Sequence, residues 1–248
     1  MFSVKTATAA TVLALFCLAA NGLHAQQTTE TRDTETTRPE PAPLFQMHYE
    51  NRVKSFKDQN LVYQNAVLLG DSITEGFDVT RYFPGQRVLN RGISADVIGN
   101  DLPDNDKRGI LKRLDHSVFN CSPTDVFILI GINDLGMGHT PEQIEAGYRE
   151  MLTRIREHLP KVNLHIQSVL PCRDKYAKHN ENVLDINRRL KALAEEFDTS
   201  YIDLHTAMSD EKGELKKEFT NDGLHLNPTA YDIWTRIVND TLARKTLK

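Results

Sequence analysis

Five short runs of strand type, interleaved with segments of helical pattern, constrain this chain more than any other feature. The runs cover residues 66–69, 87–90, 126–130, 164–170 and 200–204. Between and around them the apolar residues recur at helical spacing. Phe45, Tyr49, Val53 and Phe56 line one face of a segment at 44–59, which predicts an amphipathic helix. Thr140-Pro141-Glu142-Gln143 reads as a capping box with proline at the first helical position. The helix it opens is expected to run to about Leu159, where Pro160 stops it. Further helices are expected over 180–197 and 228–242. Strands alternating with helices predict a parallel sheet covered on both faces. The run at 126–130 is apolar throughout, as a strand buried on both sides requires.

The beginning of the chain follows a different pattern. Lys5 precedes a fourteen-residue apolar stretch, Ala7 to Ala20, and small residues follow near Ala25. As a helix that stretch spans ~21 Å, short of the ~30 Å hydrocarbon core. Residues 1–25 therefore read as a secretory signal peptide cleaved after Ala25. Phe16 stands before Cys17, where lipid attachment would need a small residue, so no lipid anchor is expected. Residues 26–43 are dominated by Thr, Glu and Pro and hold too little apolar surface to offset ordering, so a solvated linker is expected. Residues 44–248 are left for the folded domain. The expected destination is the periplasm or the cell exterior.

Composition then removes several classes of function. Lys plus Arg is 30 against 34 Asp plus Glu, so no basic excess suggests nucleic-acid binding. No second apolar stretch suggests stable membrane insertion. Three cysteines are too few for a disulfide framework. Cys121 precedes the third run and Cys172 follows the fourth, which puts them at opposite ends of parallel neighbours. Both are expected as free thiols.

In open α/β sheets, chemistry collects at the carboxyl ends of the strands. The loops there are Gly70-Asp71-Ser72-Ile73-Thr74, Asn90-Arg91-Gly92-Ile93-Ser94 and Gly131-Ile132-Asn133-Asp134. Asp222-Gly223-Leu224-His225 precedes the last helix. A serine hydroxyl needs a base before it attacks. His225 can serve as the base for Ser72, and Asp222, three residues earlier, can orient the ring. The backbone N–H groups of Ser72 and Gly92 and the Asn133 amide are candidate donors for a tetrahedral oxyanion.

These four blocks resemble the SGNH (GDSL-type) hydrolases, whose signature residues correspond to Ser72, Gly92, Asn133 and His225, in family order. The resemblance runs from about Asn65 to Trp234 and looks most like the branch of platelet-activating-factor acetylhydrolase-like and carbohydrate O-acetylesterase-like members. Ile73 stands where the family name emphasises leucine. The resemblance implies a three-layer α/β/α sandwich with a five-stranded, flavodoxin-like parallel sheet. It also implies ester hydrolysis through an acyl-enzyme with no cofactor and no metal. The substrate expected is a small-molecule or carbohydrate ester carrying a short acyl group, with acetyl preferred.

Other readings of the same residues are a lysophospholipase or thioesterase, a metal-dependent phosphoesterase and a binding module without turnover. Asp-x-His and His-x-x-x-His spacings, which a metal site would use, are missing from the first and third loops. Asp71 and Asp134 read as loop-holding acceptors. Arg91, Arg173 and His139 read as solvated loop residues.

Overall fold

The computed structural model describes residues 43–60, 66–102 and 106–245. The signal-peptide reading of residues 1–25, and the linker reading as far as residue 42, lie outside the described residues. Pro43, assigned to the linker, instead opens helix α1 (Pro43–Gln59). The described residues belong to the compact unit Glu40–Lys248.

Five parallel strands follow: β1 (Ala66–Gly70), β2 (Val88–Gly92), β3 (Asp125–Leu129), β4 (Asn163–Gln167) and β5 (Ser200–Ile202). Their order across the sheet is β2-β1-β3-β4-β5, so the class read from the alternation holds. β1 and β3 are buried at every position, as a sheet covered on both faces demands. The chain turns from β1 outward to β2, then crosses back over β1 to β3. The carboxyl ends of β1 and β3 thus flank the point where the winding reverses, the usual crevice for a ligand in such sheets.

The connections are α2 (Ser72–Glu75), α3 (Val79–Tyr82), α4 (Leu114–Ser117), α5 (Ile132–Gly136), α6 (Pro141–His158), α7 (Asn180–Glu196), α8 (Leu204–Met208) and α9 (Pro228–Lys245). Helices α6 and α7 pack against each other, while α9 packs against α3 and α8. The capping box at α6 forms as expected: Gln143 N–H donates to Thr140 Oγ1, and Thr140 N–H donates to Gln143 Oε1 (2.9 Å).

β3 is shifted one residue from the expected run, ending at Leu129, and two other expected strands end early by more, each for a local reason. The run at 164–170 leaves the ladder after Gln167 because Asn187 takes over the backbone of Val169, accepting its N–H (2.7 Å) and donating to its carbonyl (2.9 Å). The run at 200–204 stops at Ile202 because Asp203 caps α8 through the Thr206 N–H (2.9 Å). β2 instead starts one residue later and ends two residues later than expected, running through Arg91 and Gly92. Cys121 and Cys172 are buried and free, as the strand topology predicts.

Candidate active site

Ser72 is the first residue of α2, directly beyond β1. Asp71 caps that helix: its Oδ1 accepts the Ile73 N–H (3.0 Å). The helix stands on aromatic side chains. Phe77 lies 5.0 Å from the Tyr231 ring and 4.8 Å from the Trp234 ring, and the Tyr231 hydroxyl donates to the Ile73 carbonyl (2.7 Å). Trp234 and Phe77 are fully buried, so the floor beneath Ser72 is packed rather than solvated.

His225 approaches from the loop before α9. Its Nε2 lies 3.0 Å from Ser72 Oγ, and its Nδ1 lies 2.7 Å from Asp222 Oδ2. With the Nδ1–H donated to the carboxylate, Nε2 is free to accept the serine proton. Asp222 also organises the loop. Its Oδ1 accepts the backbone N–H groups of Leu224 (2.9 Å) and His225 (2.8 Å). Partial burial pushes the Asp222 carboxyl up. The hydrogen bonds from the His225 ring and backbone and from the Leu224 N–H outweigh it and hold the group well below the ordinary carboxylate range.

This loop is tied down by Arg173, whose N–H donates to the Gly223 carbonyl (2.8 Å). Gly223 has φ +86, and a Cβ there would lie 2.6 Å from the Arg173 carbonyl oxygen, so only glycine fits this turn. The Arg173 guanidinium donates to the Leu215 carbonyl (2.5 Å) and pairs with Asp210 and Glu214. The expectation of a solvated loop residue is corrected: Arg173 is an anchor.

Asn133 is the second residue of α5, beyond β3, and its Nδ2 donates to the Asp96 carbonyl (3.0 Å). The structure thus brings Ser72, Asp222, His225 and Asn133 to one edge of the sheet. Gly92 does not join them as a donor, which corrects the sequence reading. Its N–H is taken by Asn90 Oδ1 (2.8 Å), and its carbonyl accepts Arg52 Nη2 (2.8 Å). A Cβ at Gly92 would stand 2.1 Å from Glu75 N. Glycine is needed there so that β2 can press against α2.

A candidate donor that sequence reasoning missed is the Ala95 N–H. Ala95 has φ +55 in a turn closed by Asp96 N–H to the Ile93 carbonyl (3.1 Å). Its N–H and that of Ser72 are without a partner among the described residues. Asn133 bonds the very next carbonyl. Alanine is an uncommon occupant of left-handed backbone, so no local signal marks this position.

The surrounding charges are buried and structural. Arg91, expected on a solvated loop, is fully buried. It donates to Gln59 Oε1 (2.5 Å) and Asn60 Oδ1 (2.9 Å), lies over the Phe56 ring, and is pushed down to about 10 by burial. His139 is likewise buried, with Nδ1 3.5 Å from Asp134. Asp134 and Asp71 hold loops as expected, Asp134 through the Ile98 N–H (3.1 Å). A buried Arg113–Asp96 pair (2.7 Å) ties the turn to the end of β1 through the Gly70 carbonyl (3.0 Å). Among the described residues no group of three or more His, Cys, Asp or Glu side chains could hold a metal ion. No described helix is long and apolar enough to cross a membrane.

Residues 68–233 match the GDSL-like Lipase/Acylhydrolase family. The chain belongs to this family of SGNH hydrolases. Among solved structures, a Streptococcus pneumonia protein provisionally described as a platelet activating factor superposes with a TM-score of 0.71 at 23% identity. That match covers 80% of this chain and 94% of the other. Est24, a carbohydrate acetylesterase from Sinorhizobium meliloti, has a TM-score of 0.61 at 16% identity, covering 73% and 99%. Likeness at these identities is likeness of fold. N-acylneuraminate cytidylyltransferases of Streptococcus agalactiae are 22–24% identical over 167 residues, which is 67% of this chain. The chain spans about a third (36%) of the length of these curated relatives.

Proposed function

We propose that the protein is a serine esterase that removes a short acyl group, acetyl first among them, from a carbohydrate ester through an acyl-enzyme intermediate. The observation that carries the mechanism is the continuous relay from Ser72 Oγ to His225 (3.0 Å) to Asp222 (2.7 Å). Ser72 attacks the ester carbonyl as His225 Nε2 takes its proton. Asp222 keeps the ring in the required tautomer and steadies its charged form. The N–H groups of Ser72 and Ala95 and the Asn133 amide receive the oxyanion. His225 returns the proton to the leaving alcohol, and water then repeats the sequence to release the acid.

The short-chain preference is supported by the surface. The large exposed apolar side chains among the described residues are Leu44 and Met47 on α1 and Leu184 on α7, not the broad apolar face that long acyl chains use. The carbohydrate half is supported by the fold likeness to a carbohydrate acetylesterase and by relatives named for an acylated sugar acid. Export is read from residues 1–25. The mass of the protein recovered from the periplasm or medium tests that reading, with loss of those residues expected.

The functional test is a panel of acetylated sugars and para-nitrophenyl esters of graded length, with Ser72→Ala as control. Hydrolysis that is greatest for acetyl and absent in Ser72→Ala is expected. Activity rising with chain length would replace the acetyl reading by a lysophospholipase or thioesterase. Equal rates in the two proteins would end the serine mechanism.

A further inference from the structure

Glu75 lies one helical turn after Ser72, at the end of α2. Its Oε2 accepts both the N–H (2.5 Å) and the hydroxyl (2.7 Å) of Ser94. Ser94 immediately precedes Ala95, so one carboxylate joins the helix that carries the nucleophile to the turn that carries the Ala95 N–H. On its other side, Glu75 Oε1 faces His48 Nε2 (3.0 Å) and Arg52 Nε (3.5 Å), both from α1. Arg52 also holds the Gly92 carbonyl at the entrance to the same turn.

We propose that Glu75 is a positioning residue for the oxyanion hole, aligning the Ala95 N–H through Ser94, and that Arg52 and His48 make α1 a working part of the site. The physical need is specific. Ala95 sits in left-handed backbone, which an alanine leaves readily unless neighbours hold it there. An N–H stabilises an oxyanion only when it is already aimed. Two hydrogen bonds donated by the preceding residue, Ser94, to one carboxylate supply that hold. The same carboxylate so near a developing negative charge would oppose catalysis, and the guanidinium and imidazole behind it draw its charge away from the oxyanion. Helix α1 precedes the 68–233 region that matches the family, so His48 and Arg52 lie outside that match while Glu75, Ser94 and Ala95 lie within it.

The inference rests on the reading of Ala95 as an oxyanion donor. Its test uses the full chain with para-nitrophenyl acetate, comparing Glu75→Ala and Glu75→Gln with wild type and Ser72→Ala. Inhibition by a trifluoromethyl ketone, whose serine adduct places an oxyanion in the hole, is measured alongside. Glu75→Ala is expected to lower kcat about 10–100-fold, with KM within twofold. The ketone inhibition constant should rise by the same factor. Glu75→Gln, which still accepts one of the two Ser94 bonds, should lose less. An unchanged KM reports an intact fold, because a damaged site would bind substrate poorly. A Glu75→Ala enzyme with wild-type kcat, beside an inactive Ser72→Ala, overturns this inference alone. A loss confined to KM, or a kcat loss with unchanged ketone inhibition, also overturns it. Full activity in Ser72→Ala would overturn the serine mechanism beneath it.

Discussion

Two Ser–His–Asp sets stand at opposite edges of one sheet. At the carboxyl edge are Ser72, His225 and Asp222. At the amino edge Ser200 Oγ lies 2.5 Å from His165 Nδ1, and His165 Nε2 lies 3.0 Å from Asp125 Oδ1. Measured by distances, the second set is as good a relay as the first. Its surroundings differ. Ser72 opens a helix, with unpartnered N–H groups and the Asn133 amide nearby. Ser200 begins β5, and its hydroxyl has the Leu164 carbonyl 3.4 Å away. Helices α6 and α7 end at His158 and Glu196, just before β4 and β5, so their carbonyl ends face this edge. The Ser200 hydroxyl thus faces a backbone carbonyl where Ser72 stands beside open N–H groups. His165 is buried and stacked 4.3 Å from the Phe127 ring. The amino-edge set is a stitch across β3, β4 and β5. On the proposed mechanism, what separates the two relays is the presence of donors for the developing negative charge beside Ser72.

The most forceful way to break this comparison is to delete each serine. Ser72→Ala and His225→Ala are expected to lose at least about 10⁴-fold in kcat, while Ser200→Ala hydrolyses para-nitrophenyl acetate at the wild-type rate. Similar losses at both serines would erase the distinction. Asn133→Ala should cost about 10²–10³-fold in kcat with little change in KM, which sharpens the claim that donors separate the two edges.

At the amino edge the expected currency is stability. His165→Ala removes a partner of buried Asp125 and the stacking on Phe127, at about 1–3 kcal/mol by urea denaturation, with kcat per folded molecule unchanged. A smaller effect concerns pH. Burial raises the Asp71 carboxyl to about 7, against the lowering hydrogen bond from the Ile73 N–H. The folded protein therefore holds a proton that the unfolded chain releases near the ordinary 3.8. The resulting stabilisation is complete below about pH 4 and is lost as pH rises through about 7. Urea midpoints should fall between pH 5 and 8 more in wild type than in Asp71→Asn. Parallel curves would remove Asp71 as the cause.

Much of this site was legible in the loops themselves. Ser72, Asp222 and His225 could be read because their chemistry depends on residue type and because Asp222 and His225 are three residues apart. The α6 boundary was legible because its capping box is local. Gly92 misled because a glycine in a strand-end loop signals either a free N–H or a close backbone approach, and only contact with Glu75, seventeen residues away, decides between them. Arg91 and His139 looked solvated because charged loop residues usually are. Their burial depends on Phe56 and Gln59 in α1 and on Asp134 across the α5 turn.

By itself the sequence determined the alternation of strand and helix, hence a parallel sheet, and the identity of the groups able to attack, accept a proton and orient a ring. Those properties follow from side-chain chemistry and from spacings of a few residues. Only the tertiary structure decided the order β2-β1-β3-β4-β5, which sets the ends of β1 and β3 side by side. It alone distinguished the surroundings of the two Ser–His–Asp relays, gave the Gly92 N–H to Asn90 and left the Ala95 N–H open. The aim of an N–H is set by backbone dihedrals, and here those are held by bonds from Glu75 and Asn133 across 19 and 37 residues of chain.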